Sequence, residues 1–186
     1  MALFGWFKSN AGKGGKQQAH WREAWAQAVD AEDPSQLSAL RDQLNTLTSV
    51  AEDVEVEQEM LDALEHVADL QALAARGQLP SIETHHRIVG SDVCHFSAPA
   101  SLPDDPSQAS GRVLLTNVRC LFLGGSRGAS VAWHSIRDVL RVDRDVLLVR
   151  ADGTPAAHFR FNSFADAVTA AFLARRLKGT RRSGAL

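Results

Sequence analysis

The sequence has few cysteines and no long apolar run, and both absences limit what the protein can be. Cys94 and Cys120 are the only cysteines, and they have neither the paired spacing of a zinc site nor the density of a disulfide scaffold. No segment approaches the roughly 18 consecutive apolar residues of a membrane span, and the N-terminus lacks the pattern of a secretory signal. We therefore expect buried, reduced thiols in a soluble, cytoplasmic protein.

The sequence also lacks a catalytic or metal-binding signature. His85 and His86 are adjacent and would point to opposite sides of a strand, as would Cys94 and His95, so neither pair can chelate one metal ion there. No cysteine is matched with both a base and a third orienting group. We predict a non-catalytic protein without cofactor or metal, and keep an enzyme or a metal-binding protein as an alternative.

Charge is divided unevenly along the chain. The net charge is −2, but residues 1–79 carry 6 Lys and Arg against 13 Asp and Glu, whereas residues 80–186 carry 14 against 9. This division favours attraction between the two parts or between neighbouring copies. The five cations within residues 175–182 have no interleaved aromatic residue, and no nucleic-acid-binding motif is present, so nucleic acid is not expected as a partner.

Residues 18–79 form an acidic region with helical periodicity. Asp33 and Pro34 are typical of a helix start, as N-cap and first helical residue, and Gly77 is typical of a helix end. Leucines at alternating spacings of three and four form a heptad-like seam between them, and these candidate self-association residues are Leu37, Leu40, Leu44 and Leu47. The pattern predicts two or three helices in a hairpin or small bundle.

The acidic residues of this region lie together in the sequence. Nine Asp and Glu occur between Arg41 and Arg76, and no Lys or Arg does. Few ion pairs can therefore form within one helix. The run predicts either a solvated helix face or a surface that docks on a basic one.

The N-terminal segment, residues 1–17, is apolar and aromatic at first and then becomes a flexible basic linker. Phe4, Trp6 and Phe7 are candidate membrane-contact residues, because aromatic side chains beside lysines favour an anionic bilayer surface. The segment is too short to bind a membrane strongly by itself. The alternative is that these aromatic residues pack on the protein's own surface or on a neighbouring copy.

After Leu79 the apolar spacing changes from helical to strand-like, which predicts a domain boundary. Apolar runs separated by turn residues predict strands at about 82–89, 93–98, 113–116, 118–123, 129–133, 136–142, 146–150 and 156–161. Asn162 or Ser163 then caps an amphipathic helix, and residues 179–186 form a basic tail. We predict an α+β protein in which residues 80–178 form an antiparallel β-barrel or sandwich capped by the C-terminal helix.

The stretch SGRVLLTNVRCLFLG at residues 110–124, followed by WHSIRDV at 133–139, resembles a sequence pattern of GRAM and bacterial pleckstrin-homology-like domains. That pattern is a Gly-x-Leu-x-Leu-Thr-x-x-Arg-Leu-x-Phe hairpin and an isoleucine turn. With the short strands and the terminal helix, the resemblance covers about residues 82–178. It implies a binding module, because the scaffold serves to bind phosphoinositides, peptides or other domains.

One loop departs from the lipid-binding pattern of that family. Residues 99–109 match the headgroup-binding loop but contain Asp104 and Asp105 and no basic residue, and carboxylates repel phosphate. An anionic ligand would have to use other outward-facing side chains, and the candidate ligand-binding residues are Arg112, Arg119, His158 and Arg160. Solvated side chains without a ligand are the alternative.

These observations favour a non-catalytic adaptor. It would use a pleckstrin-homology-like scaffold and acidic helices for protein–protein interaction or self-association. The alternative is a peripheral membrane module that binds anionic lipid through its aromatic and basic segments.

Overall fold

The computed structural model describes residues 13–49, 53–84, 86–107, 109–124 and 127–180. The α+β class is confirmed, since these residues form four α-helices and one seven-stranded antiparallel sheet. The chain divides into two compact units between Glu65 and His66. We call residues 13–65 the helical unit and residues 66–180 the sheet unit.

The first three helices are α1 (Lys13–Asp30), α2 (Leu37–Thr48) and α3 (Glu55–Ala74). The predicted start before α2 is confirmed: Asp33 caps a 3₁₀ turn, Pro34–Gln36, by accepting a hydrogen bond from the Ser35 amide. Hydrogen bonds from Ser35 lower the pKa of Asp33. The predicted stop is also confirmed, because Gly77 adopts a φ of 73° just after α3, a conformation that favours glycine.

Two tryptophans of α1 connect the helices of the helical unit. Trp21 and Trp25 are buried, and a buried indole N–H needs an acceptor. Trp21 donates from Nε1 to the Leu40 carbonyl of α2 at 2.8 Å, and Trp25 donates to the Met60 carbonyl of α3 at 2.5 Å. These bonds fix both neighbouring helices against α1.

One member of the acidic run is buried. Glu57 is 1% exposed, and its Oε1 accepts from Nε of Arg22 at 2.6 Å and lies 2.5 Å from Nη2. A second pair, Arg41 with Glu65, joins α2 to α3 at the surface. The acidic run is therefore not a uniformly solvated face, because two of its carboxylates pair with cations on other helices.

The sheet unit has seven strands: β1 (Cys94–Ser101), β2 (Ser110–Thr116), β3 (Arg119–Gly124), β4 (Arg127–Ala132), β5 (Ile136–Val142), β6 (Asp145–Arg150) and β7 (Pro155–Phe161). Their order is β4-β3-β2-β1-β7-β6-β5 with antiparallel neighbours. The sheet does not close into a barrel, and β4 and β5 are its edges. The helix α4 (Phe164–Thr180) packs against β1, β2, β5, β6 and β7. Ser163 caps α4, as predicted, by accepting from the Asp166 amide at 3.0 Å.

The strand predicted over residues 82–89 is wrong. Ile82 makes a single bridge to Cys94, and residues 87–91 are turns. Arg119 fixes this irregular path, because its guanidinium donates to the Ile88 carbonyl and pairs with Asp92 at 3.0 Å. Val89 of this run is buried beside Cys94 of β1, whereas Ile82 and Ile88 are exposed, and the run does not extend the sheet.

Side chains of α4 occupy backbone acceptors on one edge of the sheet. Arg175 donates from Nε to the Val139 carbonyl at 3.4 Å, and Lys178 donates from Nζ to the Arg137 carbonyl. Both carbonyls belong to the edge strand β5. Edge strands otherwise present unpaired backbone groups to other chains.

Candidate functional site

One face of β5, β6 and β7 carries a surface that is half apolar and half charged. We call it the mixed face, and its members are Leu140, Val142, Asp145, Leu147, His158 and Arg160. The register places each β5 member opposite a β6 member, and each β6 member opposite a β7 member. Directly opposed residues of antiparallel strands project from the same side of a sheet, so the six side chains are neighbours.

The other side of the same strands is the core. Its members are buried: Val139, Val146, Leu148, Phe159 and Phe161. In β7, Phe159 and Phe161 face the core, and His158 and Arg160 lie on the outward side, as expected of them. The packed core on the other side of the strands therefore holds the mixed face in place.

The apolar half of the mixed face lies on the edge strand. Leu140 is 47% exposed and Val142 is 64% exposed, and Leu147 beside them is half-buried. Single exposed aliphatic residues are ordinary on protein surfaces. Adjacent exposed aliphatic residues beside hydrogen-bonded charged side chains are typical of a surface that contacts another protein.

The charged half is ordered by hydrogen bonds. Arg160 donates from Nε and Nη2 to the two carboxylate oxygens of Asp145, both at 2.7 Å. These bonds and the carboxylate charge raise the pKa of Arg160. His158 lies between two carboxylates, with Nδ1 3.0 Å from Oδ2 of Asp104 and Nε2 3.6 Å from Oδ2 of Asp145. In the described part of the chain, no group of three or more His, Cys, Asp or Glu side chains is arranged to hold a metal ion.

Asp104 comes from the loop between β1 and β2. The loop is held at its ends by the Leu102 amide, which donates to the Ala109 carbonyl, and inside by Asp105, which accepts from Ser107. Asp104 extends from this loop to His158, and its side chain is 72% exposed. The β1–β2 loop is thereby tied to the mixed face by one exposed contact.

The four candidate ligand-binding residues do not form one site. His158 and Arg160 belong to the mixed face. Arg119 pairs with Asp92 at the start of β3, and Arg112 lies exposed on β2, where it donates to the Ser97 hydroxyl at 3.1 Å. Within the described residues, no hydrogen bond or ion pair joins Arg112 or Arg119 to the mixed face.

The other candidates lie elsewhere. Leu40, Leu44 and Leu47 are buried in the helical unit, and Leu37 is partly exposed. Self-association through this seam stays a prediction, and it would require the buried leucines to become accessible. Membrane contact also stays a prediction, because its residues, Phe4, Trp6 and Phe7, lie outside the described residues. Among the described helices, none is long and apolar enough to cross a bilayer.

Sequence reasoning missed the apolar half of the mixed face. The run Ile136–Val142 contains the adjacent apolar pair Val139 and Leu140. A strand that covers a core with one side only needs apolar residues at alternate positions. The additional apolar residues at Leu140 and Val142 were the available signal for a second, exposed apolar surface.

No protein-family model matches the sequence, and no curated protein matches it. The C-terminal domain of an unknown protein from Leishmania infantum aligns with 10% identity over 48% of this chain and 88% of that chain, at a TM-score of 0.42. The N-terminally truncated linker-DH/PH domains of p115-RhoGEF align with 13% identity over 89% of this chain and 66% of that chain, also at 0.42. Similarity of this degree supports no functional assignment. The seven-stranded antiparallel sheet with its C-terminal helix is compatible with a pleckstrin-homology-like fold.

Proposed function

We propose that this protein is a non-catalytic interaction protein whose sheet unit binds a protein partner through the mixed face. The observation that carries the proposal is the adjacency of Leu140 and Val142, both exposed, to an ordered cluster of charges. Protein interfaces combine an apolar centre with a polar rim that contributes hydrogen bonds. The mixed face has both parts on neighbouring strands.

We also infer that the sheet unit is a pleckstrin-homology-like domain of the GRAM type. The order of the strands, the antiparallel pairing and the final helix support this assignment. The motif at residues 110–124 falls on the β2–β3 hairpin, where the resemblance requires it. On this basis the fold holds the strands in position, and the side chains of the mixed face determine which partner binds.

The size of the apolar half indicates a weak or transient complex. Full burial of a Leu or Val side chain contributes about 1.5–3 kcal/mol, so covering the parts of Leu140 and Val142 that are still exposed contributes roughly 2–3 kcal/mol together. The cost of association exceeds this gain. The charged half must therefore contribute to binding.

The contacts of the basic residues on α4 favour a protein partner over an anionic membrane. Arg175 and Lys178 donate to carbonyls of β5, and Arg176 lies over the Phe172 ring at 4.9 Å from its centroid. Cations held in this way are less available for lipid headgroups than solvated ones.

The test uses the full chain with an affinity tag. The double variant Leu140→Thr/Val142→Thr removes apolar surface but keeps strand-forming residues, and Ile88→Thr is the control, because Ile88 is an exposed aliphatic residue outside the mixed face. Proteins captured from cell extract are quantified for each variant. We expect a partner whose capture falls about tenfold with the double variant, equivalent to about 1.4 kcal/mol, and is unchanged with the control. If every captured protein responds equally to both variants, the mixed face is not the binding surface.

A further inference from the structure

Two arginines at the mixed face are already bonded to groups of the chain itself. Arg160 donates from Nε and Nη2 to both carboxylate oxygens of Asp145 at 2.7 Å, so its charge is matched by that carboxylate. Arg144, in the turn between β5 and β6, donates to the Asn162 carbonyl at 2.9 Å and lies 5.7 Å from the centroid of the Phe164 ring. An anion that approached Arg160 would therefore also meet the Asp145 carboxylate, which repels it.

Two carboxylates beside the same surface are more available. Asp104 has a side chain that is 72% exposed, and within the described residues only its Oδ2 is used, by His158 at 3.0 Å. Asp143 is exposed in the turn directly after Val142, and no described residue forms a hydrogen bond or ion pair with its carboxylate. A carboxylate can accept several hydrogen bonds. The surface can therefore receive a cationic donor at two places while the His158 contact stays.

The apolar residues lie on the path between these carboxylates. Asp143 adjoins Val142 at the end of β5, and Asp104 reaches the mixed face at His158 of β7. Leu147 lies between, since it is paired with Leu140 on one side and His158 on the other. Val142 and His158 are separated by two interstrand spacings across the sheet and two residues along it, or roughly 12 Å.

We propose that the mixed face binds a basic segment of its partner, in which two Lys or Arg residues flank an aliphatic side chain. This inference rests on the proposed function. The aliphatic side chain covers Val142 and Leu147, and the two cations pair with Asp143 and Asp104. Exposed ion pairs are individually weak because water competes for both groups. The two pairs therefore select a basic partner over a neutral or acidic one, and the complex stays transient.

The geometry of an extended chain sets the spacing within that segment. Alternate residues of an extended peptide point to the same side, and each residue adds about 3.3 Å. Two basic residues four positions apart, with the aliphatic residue midway, thus project from one side and span about 13 Å. This span is close to the roughly 12 Å between Val142 and His158. The expected pattern is basic-x-aliphatic-x-basic.

The probes are three capped synthetic peptides, Lys-Ser-Leu-Ser-Lys and its versions with Gln or Glu in place of both lysines. Each is added to the isotope-labelled full chain in an NMR titration. We expect the Lys peptide to shift the Leu140 and Val142 methyl signals and to bind roughly three- to tenfold more tightly than the Gln peptide. Asp104→Asn/Asp143→Asn should remove this preference. Asparagine tolerates the φ of 52° at Asp143, so the turn is kept.

The control is Asp152→Asn/Glu83→Gln, which also removes two exposed acidic charges. Asp152 lies in the turn between β6 and β7, at the other end of β6 from Asp143, and Glu83 precedes β1. An asparagine oxygen at position 152 can still accept from the Thr154 amide. The preference for the Lys peptide should be unchanged in this variant.

Three results would overturn the inference. The first is equal binding of the Lys and Gln peptides, including no binding of either. The second is tighter binding of the Glu peptide, and the third is an equal loss of preference in the test and control variants. If any of these appears while Leu140→Thr/Val142→Thr still loses its captured partner, the peptide chemistry is wrong and the proposed function stands. If that double variant keeps the partner, the proposed function itself fails.

Discussion

Replacing Arg22 by alanine tests whether the ion pair with buried Glu57 stabilises the helical unit. Removing one partner of a buried ion pair costs about 3–5 kcal/mol, because the remaining charge is left buried without compensation. The Arg22 side chain is 38% exposed, so water replaces part of the lost interaction. We therefore expect Arg22→Ala to lower the free energy of unfolding by about 2–3 kcal/mol, at or below the lower end of that range.

The matched control is Arg41→Ala. Its pair with Glu65 also joins two helices of the same unit, but both side chains are substantially exposed. Exposed ion pairs contribute at most about 1 kcal/mol. The two variants remove the same kind of side chain and differ in the burial of the carboxylate that is left.

The assay is urea unfolding followed by far-UV circular dichroism, to which the helices of both units contribute. With a slope of about 1–3 kcal/mol per molar urea, a loss of about 2–3 kcal/mol lowers the midpoint by about 0.7–3 M. Adding Glu57→Leu to the Arg22→Ala background should restore most of the loss, because the uncompensated charge is gone. Equal midpoints for Arg22→Ala and Arg41→Ala, or no recovery with Glu57→Leu, would refute this reasoning.

Three further predictions concern the sheet unit. Burial raises the pKa of the Cys94 and Cys120 thiols, which lowers their thiolate fraction. Ellman's reagent at pH 8 should therefore react rapidly with both thiols only after unfolding. Rapid reaction of the folded protein would show that the thiols are accessible. Gly111→Ala places a Cβ 2.3 Å from a backbone carbonyl oxygen of β3 and should cost about 1–3 kcal/mol in urea unfolding. Gly128→Ala is the control, because its added Cβ has its nearest neighbour at 3.6 Å. It should change the free energy of unfolding by less than about 0.5 kcal/mol. Trp133→Phe leaves a buried carbonyl of β2 without its indole donor and should cost about 1–3 kcal/mol in the same assay, whereas an unchanged midpoint would show that the bond contributes nothing.

The sequence predicted the features that depend on nearby residues. Asp33, Gly77 and Ser163 act as helix signals as expected, because each makes its contact within about four positions along the chain. The segment at residues 82–89 was misassigned for the opposite reason. Its path depends on Arg119, which is 31 positions from Ile88, and no local pattern reports such a contact.

The same distinction applies to the candidate site. His158 and Arg160 were expected to face outward, and both lie on the side of β7 away from the core. Their carboxylate partners were not predicted, because Asp104 lies 54 positions from His158 and Asp145 lies 15 positions from Arg160. The burial of Glu57 was hidden in a similar way, since its cation is 35 positions away and the nearest acids in the sequence, Glu55 and Glu59, are not buried.

The bonds from α4 to β5 also affect the order in which the chain can fold. β5 is synthesised before α4, so the carbonyls that Arg175 and Lys178 occupy remain open until residues 164–180 have emerged from the ribosome. An open edge strand can pair with another nascent chain during this interval. We therefore expect a chain interrupted before α4 to lose both the side chains that occupy this edge and the buried residues of α4 that pack on the sheet, and to associate more readily with other nascent chains.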